Sequence, residues 1–243
     1  MRAMTGRGAI VLLATLVGMG VTARLGVWQL DRAAQKQQLQ AAIEQRQALP
    51  PLAQSALARD TAEAEAQEHR RTTLRGTWLP EATLFLDNRQ MNARVGFFVL
   101  TPLQLADGSA VLVQRGWRAR DFIDRARLAP VPTPPGEVEV SGRLARGPAR
   151  LYEFDAAASG PIRQNLSLDA LARETGLALR PVMLLQTDAS ADDGLARDWP
   201  RPDLGLQKHH GYAFQWFALC ALIGGLHVWF QILRPRRLGR RPA

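Results

Sequence analysis

The chain has 243 residues, 47% of them apolar, with 31 basic and 22 acidic side chains and a formal net charge of +9. All 22 acidic residues fall between Asp31 and Lys208 together with 23 of the basic ones, so the excess charge belongs to eight arginines outside that block. A basic surface with interleaved aromatics is therefore missing from the middle of the chain, which speaks against nucleic-acid binding.

The first apolar segment runs from Ala9 to about Leu30, preceded by Arg2 and Arg7. Only 15 residues separate Ala9 from Ala23 before Arg24 interrupts. A basic start, a short apolar run and the small residues Val21-Thr22-Ala23 also fit a cleavable signal peptide. Leu25, Val27, Trp28 and Leu30 carry the apolar content further, Arg24 is long enough to snorkel, and Trp28 suits a membrane interface. We read residues 9–30 as a first transmembrane helix behind a cytoplasmic N-terminus of residues 1–8.

Residues 31–208 are expected to form one exported, periplasmic domain of 178 residues, large enough to bury its own core without disulfides. Asp31–Gln47 is rich in helix formers and extends the first helix until Pro50-Pro51 stops it. Ser55–Glu68 reads as a short helix of low apolar content, exposed and mobile. Thr72–Trp78, Thr83–Asp87, Gly96–Leu103 and Ala110–Trp117 read as strands, with Asp107-Gly108 as a hairpin turn. The proline-rich stretch Pro130–Gly136 reads as an extended loop, and alternation around Val138 and Val140 as a half-buried strand. Ser167 and Gly176 bracket a helix over Leu168–Thr175, and Pro181–Gln186 is a last strand. The predicted fold is two transmembrane helices flanking an antiparallel α+β domain, with a barrel-like sheet as one arrangement.

The second apolar segment, Tyr212–Leu233, has 22 residues without a formal charge. At ~1.5 Å per residue it is about 33 Å long, enough to cross a bilayer. Arg234, Arg236, Arg237, Arg240 and Arg241 follow it as a basic cytoplasmic tail, residues 234–243. Arginine-rich flanks place both termini in the cytoplasm. Ala14-xxx-Gly18, Cys220-xxx-Gly224 and Ala221-xxx-Gly225 offer small faces for contact between the helices. Cys220 is the only cysteine and reads as one such packing residue.

Chemistry-bearing residues are few. The chain has no nucleophile elbow, phosphate loop or zinc-protease motif, and nothing in it reads as an enzyme. His69 stands alone in the exported block. The entrance to the second apolar segment is richer, with His209, Tyr212 and Trp216 on one helical face at i, i+3 and i+7. They fit an interfacial anchor, and they also fit an axial imidazole for haem iron beside aromatic rings. His210 is adjacent. His227 lies deep in the segment, where its ring needs a polar partner, most simply on the first helix.

Four blocks in chain order carry a family resemblance. Gly26-Val27-Trp28-Gln29-Leu30-Asp31-Arg32 with Lys36 resembles the opening signature of the Surfeit locus protein 1 family, and the chain resembles a bacterial member. Leu86-Asp87-Asn88-Arg89 with Gly96-Phe97 and Leu100–Leu103 is similar to its second block. Val111–Trp117 is similar to its third, and His209, Tyr212-Ala213 and Gln215-Trp216-Phe217 to its closing motif. The resemblance implies a cytochrome c oxidase assembly factor of the cell inner membrane. Its expected partners are the oxidase catalytic subunit and other assembly factors. Haem a binding is implied as well, with His209 as the iron ligand and His210 and His227 outside the motif. A haem-free scaffold for an oxidase subunit is the alternative. Gly26 and Trp28 are expected to pack the first helix on the second. Arg89 and Arg115, placed at strand ends, would pair with haem propionates or with carboxylates of the same domain. Trp28 and Gln29 leave one helix where His209, Tyr212 and Trp216 enter the other, so these five residues are the candidate site, with His209 as its metal ligand.

Overall fold

The computed structural model describes residues 6–121, 128, 130–149, 151, 160–188, 193–199 and 206–234. Arg2 and the arginines from Arg236 to Arg241 lie outside the described residues. The chain divides into two compact units, residues 1–42 with 202–243, and residues 43–201.

The first unit is a pair of helices. Helix α1 spans Gly6–Ala48 without a break at Arg24; its last residues, from Ile43, belong to the second unit. The C-terminal helix, α4, spans Leu206–His227 and continues as a wider π-helical stretch, Val228–Leu233. Both helices are long and apolar enough to cross a membrane. They pack antiparallel: Thr15 meets His227, Gly18 meets Ile223, Gly26 meets Phe217 and Gln29 meets His209. Gly26 sets the closeness, because a Cβ there would lie 2.8 Å from the Phe217 ring. Gly224 lies against Met19, whereas nothing stands within 4 Å of a Cβ at Gly225. Trp28 does not take the packing role expected of it. It is 44% exposed, and Arg32, one turn on, places its guanidinium 5.7 Å from the ring centroid.

The second unit is built on a seven-stranded sheet: β1 (Arg71–Trp78), β2 (Leu84–Met91), β3 (Arg94–Gln104), β4 (Ala110–Ala119), β5 (Glu137–Ala145), β6 (Ile162–Arg163) and β7 (Leu179–Gln186). Strands β1, β5, β7, β4 and β3 pair in that order, and β3 returns to β1, closing a five-stranded barrel. Strand β2 extends the sheet from β3, and β6 from β2. Most pairs are antiparallel, as expected; β4–β7 and β2–β6 are parallel. Closure rests on two residue pairs, Thr77 with Gln104 and Trp78 with Leu103. Gly76 lets the strands meet, since a Cβ there would stand 2.3 Å from the Gln104 carbonyl oxygen.

Strand β4 reads as a continuous apolar run because both of its faces are covered. Val111 and Val113 join Leu74, Val140 and Leu184 in one cluster. Leu112 joins Leu86, Leu100 and Leu171 in another, the last residue coming from α3 (Leu168–Thr175). The segment before β1 differs from its reading as exposed and mobile. It holds a 3-10 turn, Gln54–Ala56, and helix α2, Thr61–Gln67, and it places Leu57, Ala58 and Ala64 in the first cluster. Its apolar content is low because small residues suffice there. Polar caps hold it: Asp60 accepts from the Glu63 N–H, Glu63 accepts from the Arg59 N–H, and the Gln67 amide bonds to Ala58 and Ala56.

Arg115 is 2% exposed inside this domain. Its guanidinium lies 4.7 Å from the Trp78 ring centroid and donates to Thr133 Oγ1, the Pro132 carbonyl and Asp193. Asp193, 3% exposed, also accepts from Arg197 at 2.6 Å, so one carboxylate serves two buried cations. Burial pushes the Arg115 pKa down while Asp193 opposes that shift. Removing one member of such a set leaves an uncompensated buried charge, at a cost of about 3–5 kcal/mol. Asp193→Ala is expected to destabilise the domain by that amount in denaturant unfolding. Arg115→Met, which leaves the Asp193–Arg197 pair intact, is expected to cost less. At the β2–β3 hairpin, Asn92 and Ala93 both have positive φ, 50° and 59°, as a type I′ turn requires. Alanine is strained there by roughly 1–2 kcal/mol. Ala93→Gly is therefore expected to raise the unfolding midpoint, by about 1 kcal/mol of stability.

Candidate functional site

The tightest polar contact between the two helices joins His209 to Gln29. His209 Nδ1 stands 2.7 Å from Gln29 Oε1. The amide oxygen only accepts, so Nδ1 carries the proton and donates it. The neutral ring then has its lone pair on Nε2. Metal-binding histidines are commonly held in this way, with one ring nitrogen tied to an acceptor and the other open. Among the described residues no three His, Cys, Asp or Glu side chains gather as a metal site. His209 would thus serve as a single protein ligand, which suits a metal that brings other donors with it, as iron in a porphyrin does.

The other expected site residues are not brought onto this contact. Tyr212 is 52% exposed and Trp216 is half-buried, while Ala213, 2% exposed, occupies the side of α4 that faces α1. Trp28 is one residue from Gln29, about 100° around the helix, and lies with Arg32. The structure therefore joins two of the five, His209 and Gln29. Phe217, absent from the expected set, packs on Gly26 two turns beyond His209. Its place in the closing motif beside Trp216 was the available signal. His210 is exposed, and His227 bonds to Thr15, the partner on the first helix that its position called for.

The two motif arginines sit at irregularities within strands rather than at strand ends. In β4, Val99 pairs with Gly116 and Leu100 with Gln114, which leaves Arg115 in a bulge. In β2 the register shifts between Leu86 and Arg89, and Asn88 has φ 58°. Bulges re-aim side chains, and both arginines are turned inward. Arg115 pairs with a carboxylate of its own domain. Arg89, 4% exposed, donates to the Gln164 carbonyl at 2.7 Å and lies 5.7 Å from the Phe98 ring centroid. Its burial lowers its pKa. His69 follows α2 in a left-handed conformation, φ 71°, half-buried, with its pKa lowered mainly by burial.

A SURF1-like protein of Monosiga brevicollis is 27% identical over 254 residues, covering 97% of this chain and 93% of the relative. A SURF1-like protein of Drosophila melanogaster is 28% identical over 218 residues, covering 81% and 69%. The cytochrome oxidase assembly protein SHY1 of Saccharomyces cerevisiae is 32% identical over 101 residues, 41% of this chain and 25% of the relative. The model of the SURF1 family matches residues 16–221, from the first apolar segment through the barrel and into α4. The chain belongs to the SURF1 family.

Proposed function

We propose that this protein is a membrane-anchored assembly factor for a cytochrome oxidase and that it holds haem a through His209 Nε2. Membership of the family and similarity to the yeast cytochrome oxidase assembly protein SHY1 support the first half. The observation that carries the second is the Gln29–His209 bond, which orients the imidazole and puts its lone pair on Nε2. Haem a would supply a redox-active iron. His209 would bind that iron, and Gln29 would hold the ring in the required tautomer and direction. Trp28, Tyr212 and Trp216 are proposed as aromatic neighbours of the porphyrin, consistent with the exposure of Trp28 and Tyr212.

In this reading α1 and α4 cross a bacterial inner membrane. The arginine excess at both chain ends keeps the termini cytoplasmic. The barrel then lies in the periplasm, and the oxidase catalytic subunit and other assembly factors are its partners. The protein acts by binding rather than by catalysis.

The test is the haem content of the full-length protein purified in detergent from cells that make haem a. One haem a per chain is expected for the native protein. His209→Ala should abolish it, and Gln29→Ala should weaken binding about ten- to hundredfold, as loss of an orienting partner does at metal sites. Unchanged haem in His209→Ala, with the barrel folded by circular dichroism, would exclude the ligand role. A haem-free native protein that still pulls down the oxidase subunit would favour a scaffold.

A further inference from the structure

One face of the barrel carries a charge mismatch. Strands β1 and β5 pair antiparallel, so that Arg75 faces Glu139, Thr73 faces Ser141 and Arg71 faces Arg143. These three rungs share the outer face, because side chains alternate along a strand and Leu74 and Val140 belong to the core. The first two rungs are complementary. Arg75 donates to Glu139 at 2.8 Å, and the Thr73 and Ser141 hydroxyls lie 2.8 Å apart. The third sets two arginines against each other. At the neighbouring rung the Leu144 N–H donates to the Arg70 carbonyl, so residues 71 and 143 form a non-hydrogen-bonded pair, with Cα atoms about 4.5 Å apart. Like charges directly opposite each other are destabilising.

The neighbouring carboxylates are already paired. Glu139 serves Arg75, and Glu65 and Glu68 both serve Arg146. Among the described residues neither the Arg71 nor the Arg143 guanidinium has an ion-pair or hydrogen-bond partner. Arg143 is half-buried beside Leu185 of β7, and burial pushes its pKa down. More positive charge gathers at the same end. His69 precedes β1; burial lowers its pKa, and Arg143, Arg46 and Arg146 act in the same direction against Glu68. Residues 31–208 hold nearly equal numbers of acidic and basic side chains, so this excess is local and not a property of the whole domain.

We propose that the Arg71–Arg143 rung is a docking site for an acidic peptide segment of a partner protein. Each guanidinium presents a planar fork that matches a carboxylate. At this spacing two forks can close on one carboxylate, which turns their repulsion into a shared attraction. Arg46 and His69 extend the positive field beside them, which suits a segment with more than one acidic residue. Leu185 gives the contact an apolar border, which favours a peptide over a hydrated inorganic ion. A lipid headgroup is the other anion within reach of a membrane-anchored chain. Between Leu30 and Arg46, however, the unbroken helix α1 rises about 24 Å, whereas a headgroup layer is roughly 5–7 Å deep. The rung shares no residue with the Gln29–His209 contact and does not depend on haem binding.

The test uses full-length protein in detergent at low salt, where charge contacts are least screened. A fluorescein-labelled hexaglutamate peptide is titrated with the protein and followed by fluorescence anisotropy, with hexaglutamine as the control. Saturable binding of hexaglutamate alone is expected. Arg71→Gln and Arg143→Gln should each weaken it about tenfold or more, as loss of a charged hydrogen bond does. Arg94→Gln, which removes the same charge from the β2–β3 hairpin, should leave it unchanged, as should His209→Ala. Without peptide, Arg71→Gln should unfold at a denaturant midpoint no lower than that of the native protein, because it relieves the repulsion. Absence of saturable binding overturns the proposal, as does an equal loss in Arg94→Gln, which would make the attraction general. A lowered midpoint in Arg71→Gln would give Arg71 a structural role and overturn it too. Displacement of the peptide by added phosphatidylglycerol, but not by phosphatidylcholine, would assign the rung to the membrane and overturn it as well.

Discussion

A polar side chain in an apolar helix must find its hydrogen-bond partner inside the protein, because hydrocarbon offers none. In two helices long and apolar enough to cross a membrane, the polar side chains do find such partners. Thr22 bonds back to the Gly18 and Met19 carbonyls of its own helix, and Thr15 to that of Val11. The two histidines of α4 that face α1 find their partners across the contact, His209 on Gln29 and His227 on Thr15. These bonds also decide protonation. In each case the α1 group accepts, Nδ1 carries the proton and Nε2 is left as a base. The helix contact thereby produces two oriented imidazoles, 18 residues apart. That is five turns, so both lie on one face of α4, about 27 Å from each other along its axis.

The barrel meets the same requirement by a different route. Its closure is narrow, so it needs glycine where β1 approaches β3. It also buries charge. Arg115 sits against Trp78 with its guanidinium shared among a hydroxyl, a carbonyl and a carboxylate. A buried ion set of this kind is not needed for stability, since apolar packing would serve as well or better. Its effect is to define one geometry: the bulge in β4 turns Arg115 inward, where Asp193 is shared with Arg197.

Much of the element order was legible because it depends on local chemistry. The strand patterns, the turn at Asp107-Gly108 and the helix bracketed by Ser167 and Gly176 are short-range signals, and each marks its element. Ser167 precedes α3 without a capping bond from its side chain, while Gly176 ends it in the left-handed conformation with φ 69°. The segment over Ser55–Glu68 was misread because composition measures apolar content, whereas burial depends on where small residues land. Ala58 and Ala64 contribute little area each and still fill the space beside Leu57. The hairpin at Asn92-Ala93 carried no glycine and so no strong turn signal, yet both residues take the left-handed conformation.

The sequence by itself determined the two apolar segments, the segregation of charge and the run of strands and turns between them. Each of these follows from residue type and spacing over a few turns of chain. Only the tertiary structure decided which side chains meet. Helical periodicity grouped His209 with Tyr212 and Trp216, but the rotation of α4 against α1 turned His209 to Gln29 and left Tyr212 outside. Likewise, Gly26 and Phe217 are neighbours only because an antiparallel contact folds residue 26 onto residue 217. Contacts of that separation depend on how two surfaces fit, which no local pattern encodes.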